Sequence, residues 1–219
     1  MSMHLERDLS AVRKKLSILG GLVEEGTGKA VEFLADSNHS LVAEITAIEQ
    51  RVNEMEVDIE DGCLKILALH QPVAADLRFI IAVLKVNNDL ERMGDQTMNI
   101  VSRVQSLRNE PPLNAVPDFT AMSRLVLTMV RLSLDALIQQ DAELARQVVQ
   151  MDKEVDDVHA ANYQFLREQV AFSPEAIGSG MSYGTISANL ERIGDLTTNI
   201  AEDVIFMIEG QVIRHQPNP

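Results

Sequence analysis

The residues with the clearest chemical meaning in this chain are acidic and come in pairs four apart. Glu91 and Asp95 lie in Leu90-Glu91-Arg92-Met93-Gly94-Asp95-Gln96-Thr97-Met98-Asn99-Ile100, and one hundred residues later Glu191 and Asp195 lie in Leu190-Glu191-Arg192-Ile193-Gly194-Asp195-Leu196-Thr197-Thr198-Asn199-Ile200. Eight of these eleven positions are identical. On a helix an i,i+4 pair stacks on one face, ~6 Å apart along the axis. Like charges at that spacing repel mildly, so a partner on a neighbouring helix is expected. Glu49 and Asp95 are equidistant from Pro72, as are Asn53 and Glu91. Around Pro174, Asp152 and Asp156 match Asp195 and Glu191 to within a residue. In an antiparallel hairpin equal distance from the turn means equal height, so Glu49/Asn53 should face Glu91/Asp95, and Asp152/Asp156 should face Glu191/Asp195. Three or four carboxylates at one level call for a positive partner. Oxygen ligands suit divalent ions such as Mg²⁺, Mn²⁺, Fe²⁺ or Zn²⁺. With Asn53 neutral, the first cluster has three carboxylates against four in the second, so the second is expected to bind metal at least as tightly. Gly94 and Gly194 interrupt both motifs, each costing ~1 kcal/mol relative to Ala inside a helix, which suits close helix approach or room for an ion.

The elements that must position these pairs are long helices. Leu5, Leu9, Val12, Leu16, Leu19 and Val23 step by fours and threes, as do Leu41, Ile45, Ile48, Val52, Met55 and Ile59, which places each set on one helix face. The seven prolines, at 72, 111, 112, 117, 174, 217 and 219, stand where helices should start or stop. Six helices are expected, at about 4–35, 39–70, 73–108, 118–139, 141–171 and 175–210. Short loops imply antiparallel neighbours. The fold class is therefore all-α: two tandem, pseudo-symmetric three-helix bundles, 1–108 and 118–219, joined by a linker at 109–117. An internal repeat of this length is the mark of a duplicated structural unit.

Composition narrows the function. The net charge is −14, from 33 acidic and 19 basic residues among 219, and both halves are acidic. Neither has the basic face a nucleic-acid partner requires. Aromatic residues are only 4% and there is no Trp, a profile that favours helix packing over sheet. Cys63 is the only cysteine, which excludes an intrachain disulfide and fits a reducing compartment. The longest apolar run, Phe79–Leu84, is far too short to span a bilayer, and the N-terminus has no signal-peptide pattern. The expectation is a cytoplasmic protein without membrane insertion.

Other features admit plainer readings. Glu54 and Asp58 form an i,i+4 pair without a counterpart in the second half and read as a solvated face. Asp156-x-x-His159 resembles the acidic-x-x-His pairs of di-iron bundles. A histidine at the surface, or one that touches a ligating side chain and not a metal, is the simpler reading of His159, whose cognate in the first half is Glu56. His70 reads as a helix C-terminal histidine. Gly26-Thr27-Gly28-Lys29 lacks both the upstream glycine and the hydroxyl residue of a phosphate-binding loop.

The segment Gln71-Pro72-Val73-Ala74-Ala75-Asp76-Leu77-Arg78, followed by the Glu91/Asp95 motif and its duplicate, resembles the signature of the PhoU proteins, bacterial regulators of phosphate uptake. The resemblance covers nearly the whole chain. It implies two three-helix bundles, frequent homodimerisation, and in some members multinuclear metal clusters held by paired acidic motifs. On this chain those motifs fall on Glu49/Asn53, Glu91/Asp95, Asp152/Asp156 and Glu191/Asp195. It further implies a non-enzymatic regulator that restrains phosphate-starvation signalling when phosphate is plentiful, by contacting the phosphate ABC transporter ATPase and a sensor histidine kinase, and so lies peripheral to a membrane-bound complex. Two alternatives are a di-metal carboxylate oxidase, for which only Asp156/His159 speaks, and a metal-free structural bundle.

Overall fold

The heptad-like stepping of the sequence becomes six helices in the computed structural model, which describes residues 3–210. They are α1 (Met3–Asp36), α2 (Ser40–His70), α3 (Ala74–Ser106), α4 (Thr120–Gln139), α5 (Ala142–Phe172) and α6 (Ile177–Glu209). Single 3₁₀ turns at Leu107–Asn109 and Pro174–Ala176 account for the residues by which the expected ends of α3 and α6 differ from the observed ones. No strand occurs among the described residues.

Helix boundaries follow local chemistry. Asp141 caps α5, its Oδ1 accepting from the backbone N–H groups of Glu143 at 2.9 Å and Leu144 at 3.0 Å. Such a cap satisfies donors that the first helical turn cannot pair internally. Asp118 accepts from the Thr120 backbone N–H at 2.9 Å before α4. The α4–α5 turn is closed by Gln140 in the left-handed region, φ 54°. The α2–α3 turn carries two such residues, Gln71 (φ 46°) and Ala74 (φ 49°), conformations uncommon for residues other than glycine.

Helices α1–α3 form one bundle and α4–α6 the other, and α3 and α6 pack against each other along the middle of the molecule. Lys85 of α3 meets Asp203 of α6 at 3.0 Å, and Glu110, just beyond α3, accepts from Ser182 near the start of α6 at 3.1 Å. The two central helices therefore run antiparallel, with Gly94 and Gly194 near their common midpoint. α1 also contacts α4. As a result the buried residues of both bundles, from Leu19 and Phe33 through Leu90, Met93 and Met129 to Leu190 and Ile200, form one continuous hydrophobic cluster, apart from a small satellite of Leu113, Leu166 and Ala176. The duplication visible in the sequence does not produce two separate cores.

The Gly26-Thr27-Gly28-Lys29 tetrapeptide, which lacks the pattern of a phosphate-binding loop, lies inside α1. Thr27 is buried, donating to the Val23 carbonyl at 2.8 Å and lying 3.3 Å from the Thr97 hydroxyl of α3. Lys29 pairs with Glu44 of α2 at 2.7 Å. His70 ends α2 and bonds Asp8 of α1 at 3.0 Å, which holds the Asp8 carboxyl below its usual range, with help from Arg7. Cys63 is buried, and desolvation pushes its thiol up to about 11, so it remains an inert core group.

Candidate functional site: two carboxylate seams

The hairpin arithmetic around Pro72 and Pro174 is reproduced in space. Along the α2–α3 seam Glu49 is half-buried. Its carboxyl is raised by burial and by repulsion from Asp95 and Glu91, while a hydrogen bond from Asn53 works the other way. Glu91 is raised by burial, then by Asp95 and by Glu56. Along the α5–α6 seam Asp152, Glu191 and Asp195 are half-buried. Asp195 is pushed up to about 6 by burial and by the charges of Glu191, Asp152 and Asp156, with Arg192 opposing. Glu191 is raised by burial, Asp156 and Asp152. Asp152 is raised by burial and Asp156, against a hydrogen bond donated by Thr198 at 3.1 Å. Asn53, Asp95 and Asp156 form the exposed rim. All eight residues singled out by their spacing thus fall on two seams, one per bundle.

Glu56 was missed as a member of the first seam. It is half-buried, its carboxyl is raised by burial and Glu60, and it raises Glu91 in turn. The first seam therefore also carries four carboxylates, Glu49, Glu56, Glu91 and Asp95. The expectation that the second half binds metal at least as tightly as the first loses its charge-count argument. Glu56 is the duplicate of His159 and one turn from Asn53, so the signal was present as a carboxylate displaced by three residues. Asp58 is held by Lys15 at 2.6 Å. His159 has its Nδ1 2.9 Å from the buried Ser187 hydroxyl, so that nitrogen is engaged by a hydroxyl and not by a carboxylate.

The two central glycines differ. A Cβ on Gly94 would collide with Glu49 Oε2, whereas one on Gly194 would meet only Val155 Cγ1 at 3.4 Å. Glu49 therefore reaches across to α3 over a bare backbone. We expect Gly194→Ala to stabilise by up to ~1 kcal/mol through helix propensity. Gly94→Ala should gain less, because the Glu49 carboxylate must move. Urea unfolding of both variants checks this; equal gains would show that Glu49 is not held against Gly94.

The donor set, hard oxygens in mutual repulsion, is of the kind divalent cations take. Yet among the described residues no three His, Cys, Asp or Glu side chains converge closely enough to enclose one ion. The seams are acidic surfaces of matched height without a finished cage. Cationic groups beside the second seam include Arg192, 4.0 Å from Asp195 and half exposed, and Lys153, which pairs with Asp157 and feels the charge of Asp156.

Two antiparallel-packed copies of one helical bundle, each with an acidic seam at its waist, define a duplicated all-α bundle protein. The model of the PhoU domain matches residues 16–104 and 119–204, one match per bundle. The chain belongs to the PhoU family, a family of accessory and regulatory proteins rather than enzymes. It is 36% identical to the phosphate-specific transport system accessory protein PhoU homolog of Aquifex aeolicus (strain VF5), across 98% of this chain and 97% of that protein. It is also 36% identical to the Pseudomonas aeruginosa protein of the same description, across 98% and 89%. The crystal structure of PhoU from Pseudomonas aeruginosa superposes with a TM-score of 0.90 at 36% identity, covering 94% of this chain and 99% of that one. That of the phosphate transport system regulatory protein PhoU from Streptococcus pneumoniae gives 0.86 at 29%, covering 95% and 99%. Family membership removes the oxidase alternative.

Proposed function

We propose that this chain is an accessory protein of a phosphate-specific transport system that restrains phosphate-starvation signalling when phosphate is plentiful. In this reading it acts in the cytoplasm as a homodimer, docking on the transporter ATPase and on a sensor histidine kinase. The observation that carries the reading is the near full-length similarity to relatives bearing that description, on a fold that superposes over 94% of this chain. No helix among the described residues is long and apolar enough to cross a membrane, which fits docking rather than insertion. Non-enzymatic coupling also suits a surface of net charge −14, because charge complementarity steers association with basic partner surfaces.

The same proposal includes metal binding at the seams, by Glu49, Asn53, Glu91 and Asp95 with Glu56 beside them, and by Asp152, Asp156, Glu191 and Asp195. Its support is that five of these carboxylates have raised proton affinities caused by burial and by one another. A divalent cation relieves that repulsion.

Deleting the gene should raise expression of phosphate-regulated genes in phosphate-rich medium. A reporter fused to such a promoter measures it, with the wild-type gene restored as control. Expression that stays at the repressed level after deletion would remove the signalling role.

A further inference from the structure

The signature segment that ends in Arg78 takes no part in either acidic seam, and the structure gives it a different setting. A cavity of about 350 Å³ opens where α1, the start of α3, the α4–α5 turn and the end of α6 meet. Arg13, Asp76, Arg78 and Gln140 supply its polar lining, with Phe79 and Met207 among the apolar residues. The Nε of Arg78 is buried there without a hydrogen-bond partner. Arg13 is held over the Phe79 ring, its Cζ 4.5 Å from the centroid. The arginines that form ion pairs among the described residues are Arg7, Arg92, Arg146 and Arg192, so both guanidinium groups of the cavity are without a carboxylate partner. A guanidinium keeps its charge at any physiological pH, and a buried donor of a charged group left unpaired is costly. In a chain of net charge −14, a cavity with two arginines and one carboxylate departs sharply from the surrounding surface.

We propose that this cavity binds a small oxyanion, and specifically inorganic phosphate. Guanidinium groups match the geometry of phosphate oxygens and form charge-assisted hydrogen bonds with them. The volume is at the lower end of ligand sites, room for an oxyanion together with its hydration water, so the choice of a small anion rests on the guanidinium groups and not on size. Asp76 sets the selectivity. Phosphate at neutral pH retains a hydroxyl that can donate to a carboxylate, whereas sulfate has no proton and is repelled by it. The preference for an oxyanion rests on the cavity alone, and the choice of phosphate also rests on the transport-accessory reading above. Because the cavity is walled by helices of both bundles, its occupant joins the two halves at the end where the α2–α3 turn carries Gln71 and Ala74 in left-handed backbone conformations.

The test is isothermal titration of the full chain with sodium phosphate and, separately, sodium sulfate, at constant ionic strength. Excess EDTA keeps any metal at the acidic seams from bridging to the anion. Saturable binding of phosphate and much weaker binding of sulfate are expected. Arg78→Gln and Arg13→Gln should each weaken phosphate binding by at least about tenfold, the loss expected for a charge-assisted hydrogen bond. Asp76→Asn should narrow the gap between sulfate and phosphate, a change of selectivity that mere loss of folding cannot produce. Should Arg78→Gln fail to fold, Arg13→Gln and Asp76→Asn still decide the matter. Absence of saturable phosphate binding up to tens of millimolar, or affinities and selectivity unchanged in the variants, would overturn the proposal. Binding of glycerol 3-phosphate without binding of inorganic phosphate would overturn it too, and would point to a phosphate ester as the occupant. A negative result leaves the transport-accessory reading standing, since the gene-deletion experiment does not depend on direct phosphate binding.

Discussion

Leu90→Ala is expected to lower the stability of the whole chain by about 2–5 kcal/mol, the range for truncating a fully buried leucine. Leu90 is 0% exposed on α3 and belongs to the cluster that runs without a break into the second bundle. Removing three buried carbons forfeits transfer energy and leaves a void that rigid neighbouring helices cannot close. The effect should not stay in the first bundle. The only tyrosines are Tyr163 and Tyr183, so tyrosine fluorescence reports the second bundle alone while far-ultraviolet circular dichroism reports both. With one core, the two signals should shift together to lower urea concentration in the variant. A tyrosine transition that stays at its wild-type midpoint while the dichroism splits into two steps would show that the bundles unfold independently.

The second large effect is on metal-dependent stability. Mn²⁺ in excess should stabilise the wild-type protein, by ~2.7 kcal/mol where free metal is one hundred times the dissociation constant. Glu191→Gln with Asp195→Asn should remove the share due to the α5–α6 seam while preserving shape. Without metal, the double variant should be no less stable than wild type, because the repulsion among Glu191, Asp195, Asp152 and Asp156 is relieved. The pH dependence follows from the same groups. Asp195 titrates near 6 when folded against an ordinary value of 3.8, so the folded state binds its proton more tightly than the unfolded chain. Its stabilising contribution is complete below the unfolded value and is lost as pH rises through about 6. The metal-free protein should therefore become more stable as pH falls from 7 towards 5, while the Mn²⁺ increment shrinks as protons compete for the carboxylates. Thermal unfolding of both proteins across that range, with and without Mn²⁺, measures each trend. An equal metal-induced shift in wild type and variant would exclude the second seam as the principal site.

These expectations differ in how far they could be made from the amino-acid sequence. The six helices, their turns and the all-α class were legible because helix periodicity is local: Leu5 to Val23 repeat at the pitch of the helix they form, and Asp141 caps the helix that begins beside it. The facing of Glu49 with Asp95, and of Asp152 with Asp195, was also legible. A hairpin converts distance from a proline turn into height, which needs only the rise per residue. Glu56 escaped because its displacement by three residues from Asn53 breaks the expected i,i+4 pattern, although a helix face accepts i+3 as readily as i+4.

What only the tertiary structure decided lies between elements distant in sequence. No periodicity requires α3 to pack antiparallel on α6, bring Lys85 to the buried Asp203 and merge two repeated units into one core. That choice is made by the shapes and apolar areas of whole helix faces, which act collectively. Nor does spacing reveal that Gly94 makes room for Glu49 while its duplicate Gly194 sits against Val155. The cavity that gathers Arg13, Asp76, Arg78 and Gln140 is of the same kind. Its residues come from α1, α3 and the α4–α5 turn: the packing of α1 on α3 sets both guanidinium groups on one space, and the docking of the second bundle walls it with Gln140 and Met207. Local interactions are written in nearest neighbours and in the helical repeat, so the sequence alone determined the elements and the level of the acidic seams. Long-range packing, in which many weak contacts compete at once, decided how the seams, the shared core and the oxyanion cavity are arranged about them.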